Sequence, residues 1–533
     1  MDALTAVLAI LVAIAILFEV ARRLGVPYPT LLVLGGLGLA FVPGLPRIEL
    51  EPDLVLLVFL PPLLFSAAAE SPLRDLRANL APLVRLSIGL VIFTMVIVGA
   101  VAHAAIPGLS WAAALTLGAI VGPTDALAAT SVFRRLGAPR TVRTLIEGEA
   151  LFNDATALVA YRVAWPLAVA SGSFVLSEAL VGFFVAGLGG IAIGAIVGRI
   201  SGEILRRLDD PPVEVLISVV IPFAAYLPAD RLGLSGVLAA VAAGLVIGSR
   251  LGTILTPNSR VLWLTSWKMI GFVLNGFVFV LIGLELPEIL QGLGGRPPLE
   301  ILGLAGLVCG VVVFGRLVWV FAASLLPGSP RQIITRRDAR LAARLTFVVG
   351  WAGLRGAVSL AAALALPVNF PERNLILLLT FAVILVTLVG QGLTLQRVVR
   401  WARWDGTEFD GDEATTARTA AYQAGLEEID RARPDWPTHQ PLLDRLESGL
   451  RDRTQHLATE DPDETAERRQ ERVEHEQIQR GVIAAQRTAV IELRDRGEIN
   501  DETLRAVERE LDLEELRMGL MPFSQRPCAR PPG

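Results

Sequence analysis

Long apolar runs follow one another along the first 400 residues and are separated by short stretches of charged, proline or glycine residues. A helix that crosses a bilayer needs about 20 mostly apolar residues, whereas the strands of an outer-membrane barrel alternate apolar and polar positions. The pattern therefore predicts an all-α polytopic membrane protein with about thirteen transmembrane helices. The predicted spans lie near residues 4–21, 27–44, 52–70, 82–106, 110–135, 142–171, 174–205, 211–228, 231–249, 264–286, 300–326, 342–366 and 373–397.

The distribution of charge divides the chain into two parts. Residues 1–403 are predicted to form a transmembrane domain and residues 404–533 an acidic helical tail, because the chain after residue 400 holds 19 basic and 30 acidic residues. We expect the first span, at Met1–Glu19, to be retained, because it lacks a basic leader and a small-residue cleavage site.

The tail is predicted to begin with a polar linker, Asp405–Thr415, and to continue with charged helical stretches near 416–432, 464–496 and 501–518. The last stretch has Asp501 as a capping residue. One face of that helix carries the apolar residues Leu504, Val507, Leu511 and Met518. The end, Pro522–Gly533, is predicted to be disordered. Two interpretations of the tail stay open, a regulatory or dimer-contact domain and a solvated helical appendage.

The composition excludes several classes of protein. Only 19% of the residues are charged, against about 25% in ordinary soluble domains. Two cysteines, Cys309 and Cys528, and four histidines are too few for a disulfide framework, a metal cage or a haem site. The absence of a Walker-type phosphate loop disfavours an ATP-driven pump. We expect no enzymatic activity, no cofactor and no nucleic-acid partner.

The arginines in the loops predict how the chain is oriented. Alternate loops carry eighteen arginines and the remaining loops carry four, namely Arg47, Arg231, Arg296 and Arg373. Cytoplasmic loops are the ones enriched in basic residues. The amino terminus is therefore predicted to lie outside and the tail inside.

The fifth span contains a proline and an aspartate at its centre, in the segment Gly122-Pro123-Thr124-Asp125. Proline breaks the hydrogen-bond ladder of a helix, and an unwound backbone at this depth is tolerated only where it lines protein or a water-filled cavity. Thr124, Asp125 and freed carbonyls are predicted to bind a cation. The alternative is an ordinary proline kink with a buried, protonated Asp125.

The sixth span contains three carboxylates within eight residues, Glu147, Glu149 and Asp154, and an amide at Asn153. An intramembrane carboxylate is expensive and is by default a functional candidate. Asp154 lies deepest and is the main candidate for the ion and proton site; a purely structural ion pair is the alternative.

The twelfth span contains Arg355 within a glycine-rich segment, Gly350–Ser359. A guanidinium is permanently charged and needs a partner at this depth, and we expect that partner to be Glu149, in a structural ion pair. The fifth and twelfth spans run in opposite directions, and paired interruptions in inverted halves point to a transporter's midplane site. Two interrupted helices are therefore predicted to cross beside Asp154.

The motifs resemble those of bacterial sodium/proton exchangers of the monovalent cation:proton antiporter type, which are related to animal sodium/hydrogen exchangers. The resemblance covers about residues 5–400. It is carried by Pro61–Phe65, Pro123–Ala126, Glu147–Glu149, Asn153-Asp154, Leu234–Ala239, Phe279–Leu284 and Gly353–Ser359.

This resemblance implies a thirteen-span, inverted-repeat fold with six-span dimerisation and core bundles, and exchange of Na⁺ or K⁺ for H⁺. It implies that Asp154 carries both the ion and the proton, that Thr124 and Asp125 are the Thr-Asp of the broken helix, and that Glu149 and Arg355 form the structural pair. A homodimer in a bacterial cytoplasmic membrane, in contact with lipid and acting in pH and cation homeostasis, is expected.

Two positions depart from the pattern of some relatives. Ser66 stands where they carry an acidic residue, with Glu70 one turn further on, and Ala150 stands where they carry serine. We keep Ser66, Glu70 and Ser359 as accessory candidates. Arg162 and His103 have no assigned role.

The leading functional hypothesis is a secondary antiporter. Because Asn153 is an amide that does not titrate, we expect one proton to exchange for one cation without net charge. The alternative is a cation channel, or a transport-like sensor with the tail as its output domain. A channel filter requires a repeated ring of carbonyls or carboxylates, and the sequence contains no such repeat.

Overall fold

The computed structural model describes most of the chain and divides it into two compact units, Met1–Phe409 and Asp410–Gly533, which are treated separately. The described residues are 3–41, 55–136, 138, 140–169, 176–291, 296–326, 339–402, 410–458, 466–496, 498, 503–504, 507 and 510–514.

The described part of the first unit is helical. Its longer helices are α1 (Ala3–Leu24), α2 (Tyr28–Ala40), α3 (Leu60–Glu70), α4 (Leu80–Ala105), α5a (Trp111–Ile120), α5b (Ala126–Arg135), α6 (Arg140–Val169), α7 (Leu176–Arg206), α8 (Pro211–Arg231), α9 (Gly236–Gly248), α10 (Pro257–Leu284), α11 (Pro298–Ser324), α12a (Ala339–Trp351), α12b (Ala357–Leu364) and α13 (Arg373–Ala402). A π-helical turn, Val55–Phe59, precedes α3. Shorter helices cover Leu73–Ala78, Leu251–Ile254 and Leu286–Gln291.

Helices cover each of the predicted spans, with bounds that differ by a few residues. Among the described residues, six helices are long and apolar enough to cross a membrane. They are α4, α7, α8, α10, α11 and α13. Shorter apolar helices cover four further spans.

Capping residues explain two of the shifted bounds. Helix α9 begins at Gly236 because the Ser235 side chain accepts a hydrogen bond from the Leu238 amide. Helix α10 begins at Pro257, seven residues before the predicted start, because Thr256 caps it and a proline suits the first turn.

The helices of this unit pack in two groups. In one group, α1 to α3 and α7 to α10 pack against each other; in the other, α4 to α6 and α11 to α13 do so. Helix α7 approaches α9 closely through Gly190, Gly194 and Gly198, which share one face. A Cβ atom on Gly194 would lie 2.1 Å from the carbonyl oxygen of Ala239. Small residues at this spacing are typical of helix packing in membranes.

The apolar surface of the first unit is extensive. Helix α7 exposes Phe184, Val185 and Leu188, each by more than half of its surface. Exposed apolar side chains in such a row are expected of a helix that faces lipid, because lipid tails do not penalise them.

The described part of the tail contains three long helices, α14 (Asp410–Ala432), α15 (Gln440–Ala458) and α16 (Ala466–Asp495). Helix α15 was not predicted, although Leu443, Leu446 and Leu450 have helical spacing. It packs against α14.

Several predictions for the tail fall wholly or partly outside the described residues. In the final stretch, Leu504 and Leu511 are buried and Val507 is half-buried. The predicted features outside the description include residues 405–409 of the linker, the cap Asp501, Met518 and the end, Pro522–Gly533.

Candidate functional site

The two predicted helix interruptions are present, and the unwound segments meet. Residues 121–125 separate α5a from α5b, and residues 352–356 separate α12a from α12b. The backbone amide of Asp125 donates a hydrogen bond of 2.7 Å to the carbonyl oxygen of Leu354. Two broken helices therefore cross at this point.

Glycine at position 356 is required by the closeness of the crossing. A Cβ atom there would lie 2.2 Å from Oδ2 of Asp125. The carboxylate of Asp125 thus occupies the space that a side chain at position 356 would need.

A charged side chain lies at each of the four half-helix ends, and its sign is the one that the helix dipole favours: negative at amino-terminal ends and positive at carboxyl-terminal ends. At the amino-terminal end of α5b, Asp125 accepts a hydrogen bond of 2.8 Å from the Leu127 amide, and the start of α12b lies against the same carboxylate. At the carboxyl-terminal end of α5a, Nε of Arg355 donates to the Val121 carbonyl at 3.1 Å. At the carboxyl-terminal end of α12a, Arg316 donates to the carbonyls of Val349 and Gly350.

Glu149 forms its ion pair with Arg316 and not, as predicted, with Arg355. Both residues of the pair are buried, and both carboxylate oxygens accept from the guanidinium; Nη2 of Arg316 lies 2.9 Å from Oε2 of Glu149. Nε of Arg316 also donates to the Gly350 carbonyl at 3.1 Å. Planar guanidinium groups favour this two-pronged pairing with a carboxylate.

Arg355 is a neighbour of this pair and bonds to the backbone instead. Its guanidinium donates to the carbonyls of Val121 and Gly353, and it lies within electrostatic reach of Arg316 and Glu149. The predicted partner was wrong because Nε and Nη1 of Arg355 donate to these two backbone carbonyls, while its buried Nη2 has no hydrogen-bond partner among the described residues.

The sequence contained a signal for Arg316 that was overlooked. Arg316 is a single arginine inside the long apolar helix α11. An intramembrane charge is a functional candidate by default, which is the reasoning that identified Arg355.

Thr124 and Asn153 connect the unwound segment of the fifth span to α6. The Thr124 hydroxyl donates to Glu149 at 2.8 Å and accepts from Nδ2 of Asn153 at 2.6 Å. The same amide donates to the Thr124 carbonyl at 3.1 Å. Oδ1 of Asn153 is buried and has no hydrogen-bond partner among the described residues.

Asp154 lies at the inner end of a partly exposed stripe on α6. Arg143, Glu147, Ala150 and Asp154 are half-buried and share one helical face, whereas residues 155–161 are all buried. Asp125 is also half-buried and interacts electrostatically with Asp154. Partly exposed residues therefore lead from Asp154 towards the end of α6 that carries Arg143, whereas buried residues separate Asp154 from the other end.

The accessory candidates occupy different environments. The Ser66 hydroxyl is half-buried and donates to the Leu63 carbonyl at 3.0 Å, and Glu70 is exposed at the last residue of α3. The Ser359 hydroxyl, in the first turn of α12b, is buried and has no hydrogen-bond partner in the described part of the chain.

Comparison with known proteins identifies the family. Residues 7–401 match the family model described as sodium/hydrogen exchanger, transmembrane. The chain belongs to the sodium/hydrogen exchanger family. This is a family of multi-pass membrane transporters, in agreement with the resemblance seen in the motifs.

Similar proteins extend over most of this exchanger-family chain. An uncharacterised Na⁺/H⁺ exchanger of Mycobacterium tuberculosis is 36% identical over 528 residues, which are 97% of this chain and 96% of that protein. The Na⁺/H⁺ antiporter ApNhaP of Aphanothece halophytica is 36% identical over 70% of this chain and 69% of its own. A sodium, potassium, lithium and rubidium/H⁺ antiporter of Bacillus subtilis is 34% identical over 73% of this chain and 60% of its own.

A solved structure shares the fold. The sodium proton antiporter MjNhaP1 of Methanocaldococcus jannaschii matches with a TM-score of 0.60 at 20% identity, over 76% of this chain and 100% of that one.

Proposed function

We propose that this protein is a secondary antiporter that exchanges Na⁺ for H⁺, with K⁺ as the second candidate, and that Asp154 carries the cation and the proton in turn. The observation that carries the proposal is the crossing of two broken helices, joined by the Asp125–Leu354 hydrogen bond, beside the half-buried Asp154. Such crossings place half-helix ends around an ion at the membrane midplane.

The surrounding contacts support distinct roles for the neighbours of Asp154. Asp125 adds a second carboxylate. Oδ1 of Asn153 can serve as an oxygen ligand for the cation, because it accepts no hydrogen bond from any described residue. The Thr124 hydroxyl is held between Glu149 and Asn153, so its main role is to fix the unwound segment, with one lone pair left for the cation. The Glu149–Arg316 pair holds this arrangement in place.

The wider assignment follows from the chain and its relatives. The arginine bias of the loops favours a cytoplasmic membrane location with the amino terminus outside and the tail inside. The cation range rests on the relatives, because two are named for Na⁺ and one for Na⁺, K⁺, Li⁺ and Rb⁺. We also propose that the protein is a homodimer that contacts lipid through its exposed apolar helices. Its proposed role is in pH and cation homeostasis.

A flux assay in proteoliposomes tests the exchange. An outward Na⁺ gradient is expected to drive protons into the vesicles and to acidify the lumen, as followed with a pH-sensitive dye, and Li⁺ and K⁺ gradients rank the cations. A channel would instead pass the cation and change the membrane potential without obligatory proton movement, and that result would overturn the proposal.

Exchange is expected to be electrically silent. Asn153 does not titrate, so Asp154 is the carrier of this pair, and we expect Asp125 to keep one protonation state through the cycle. Clamping the potential of the proteoliposomes at zero or at about 100 mV is expected to leave the equilibrium between the Na⁺ and H⁺ gradients unchanged. One uncompensated charge would shift it by about 2.3 kcal/mol, and such a shift would show that a second proton moves, with Asp125 as the first suspect.

A further inference from the structure

Arg162 and His103 were singled out in the sequence as residues without an assigned role. His103 is accounted for locally: its Nδ1 lies 2.7 Å from the Leu109 carbonyl oxygen, and its ring stacks on Trp111 with 4.5 Å between centroids. Arg162 makes contacts that reach beyond its own helix.

Arg162 joins the two groups of helices. Its guanidinium forms an ion pair with Asp230, near the end of α8, and Nη1 donates to the Leu234 carbonyl at 3.4 Å. Helix α6 carries Asp154 and packs in one group, whereas α8 packs in the other. The ion pair therefore bridges the helix that carries the proposed ion site and the group that does not.

The position of Arg162 along α6 relates this ion pair to the site. Arg162 lies eight residues beyond Asp154, or about 12 Å along the helix axis, on the side away from the partly exposed stripe. Residues 155–161, which lie between them, are all buried. On the opposite side of Asp154 the stripe of half-buried residues leads to the other end of the helix.

We propose that the Arg162–Asp230 ion pair is a gate that closes the site at the end of α6 that carries Arg162, and that it breaks each time the site opens to that side. The proposal rests on the exchange function, because an exchanger must expose its site to each side in turn while one bundle moves against the other. Both side chains are about 40% exposed, and exposed ion pairs contribute little stability, so this contact can break and form in each cycle.

Cross-linking tests the gate. In a background with Cys309→Ala and Cys528→Ser, the pair Arg162→Cys and Asp230→Cys is joined by a bifunctional, reducible thiol reagent whose spacer is about as long as an arginine side chain. Cross-linking is expected to abolish Na⁺-driven proton flux, and reduction is expected to restore it. Unchanged flux in the cross-linked protein would overturn the gate, whereas a background without any exchange would count against the proposed function instead.

An ion pair inside one helix group provides the matched control. Nη2 of Arg296 lies 2.9 Å from Glu372, and these residues precede α11 and α13, which pack in the same group. Joining Arg296→Cys to Glu372→Cys with the same reagent is expected to leave exchange intact, because no relative movement is needed there.

A labelling measurement keeps the proposal testable if the double-cysteine protein does not fold. Asp230→Asn removes the charge with little change of shape. It is expected to speed the reaction of Leu158→Cys with a membrane-impermeant thiol reagent applied from the Arg162 side. It is also expected to slow the reaction of Ala150→Cys with the reagent applied from the Arg143 side, because the closed-gate population falls. Two outcomes would contradict the gate. Either Asp230→Asn leaves both labelling rates unchanged, or it raises both of them together, as a general loosening of the protein would do.

Discussion

Asp154→Asn is expected to abolish cation/proton exchange and to leave the protein folded. A carrier that alternately holds a proton and a cation must be able to lose its proton, and an amide of nearly the same shape cannot. The variant is expected to show no Na⁺-driven proton flux in proteoliposomes, while its melting temperature in detergent stays close to that of the parent protein.

A carboxylate outside the site serves as the control for this substitution. Asp209 is exposed in the turn between α7 and α8, so Asp209→Asn makes the same chemical change away from the crossing helices. We expect it to exchange at the parent rate. Exchange at the parent rate by Asp154→Asn would remove Asp154 from the mechanism and leave Asp125 as the remaining carboxylate of the crossing.

The crossing helices were predictable because their signals are local. Gly122-Pro123 interrupts the fifth span, since proline cannot continue the hydrogen-bond ladder, and the glycine-rich segment around Gly353 and Gly356 permits an interruption of the twelfth. The twelfth span comes seven spans after the fifth, and this odd offset predicts opposite directions through the bilayer. These arguments need only the spacing along the chain, and both interruptions are present.

The partner of Glu149 was not predictable by the same means. The sequence shows that a buried carboxylate needs a cation but not which arginine the packing brings to it. Arg316 lies on α11 and Arg355 in the unwound segment between α12a and α12b, and the two guanidinium groups lie within electrostatic reach of each other. Their assignment depends on which backbone carbonyls each guanidinium satisfies, Val121 for Arg355 and Gly350 for Arg316, and these distances exist only in the folded chain.

The Arg162–Asp230 contact shows the same limit. Arg162 has no ion-pair partner in the described part of its own span, and Asp230 lies 68 positions further along the chain. No periodic pattern relates positions so far apart. Only the packing of α6 against the other group of helices brings the two charges together.

Glu149→Ala and Arg316→Ala are each expected to lower the free energy of unfolding by about 3–5 kcal/mol, because removing one partner of a buried ion pair leaves the other charge uncompensated. Each substitution also removes a further hydrogen bond. Glu149 accepts one from the Thr124 hydroxyl, and Arg316 donates one to the Gly350 carbonyl at the end of α12a. Denaturation by titrating SDS into detergent-solubilised protein measures the change.

The exposed pair Glu19–Arg22, both on α1, provides the reference. Removing either of its members is expected to change the free energy of unfolding by at most about 1 kcal/mol. This comparison separates the cost of stranding a buried charge from the cost of deleting any ion pair.

Double-mutant cycles decide which arginine is the partner of Glu149. Because Glu149 and Arg316 share two direct hydrogen bonds, their double variant is expected to be clearly more stable than the sum of the single effects implies, with a coupling of about 0.5–3 kcal/mol. The cycle of Glu149 with Arg355 is expected to give a smaller coupling, since their interaction acts through space and the hydrogen bonds of Arg355 go to backbone carbonyls. The reverse order of the two couplings would restore the pairing that the sequence suggested and assign to Arg316 only the capping of α12a.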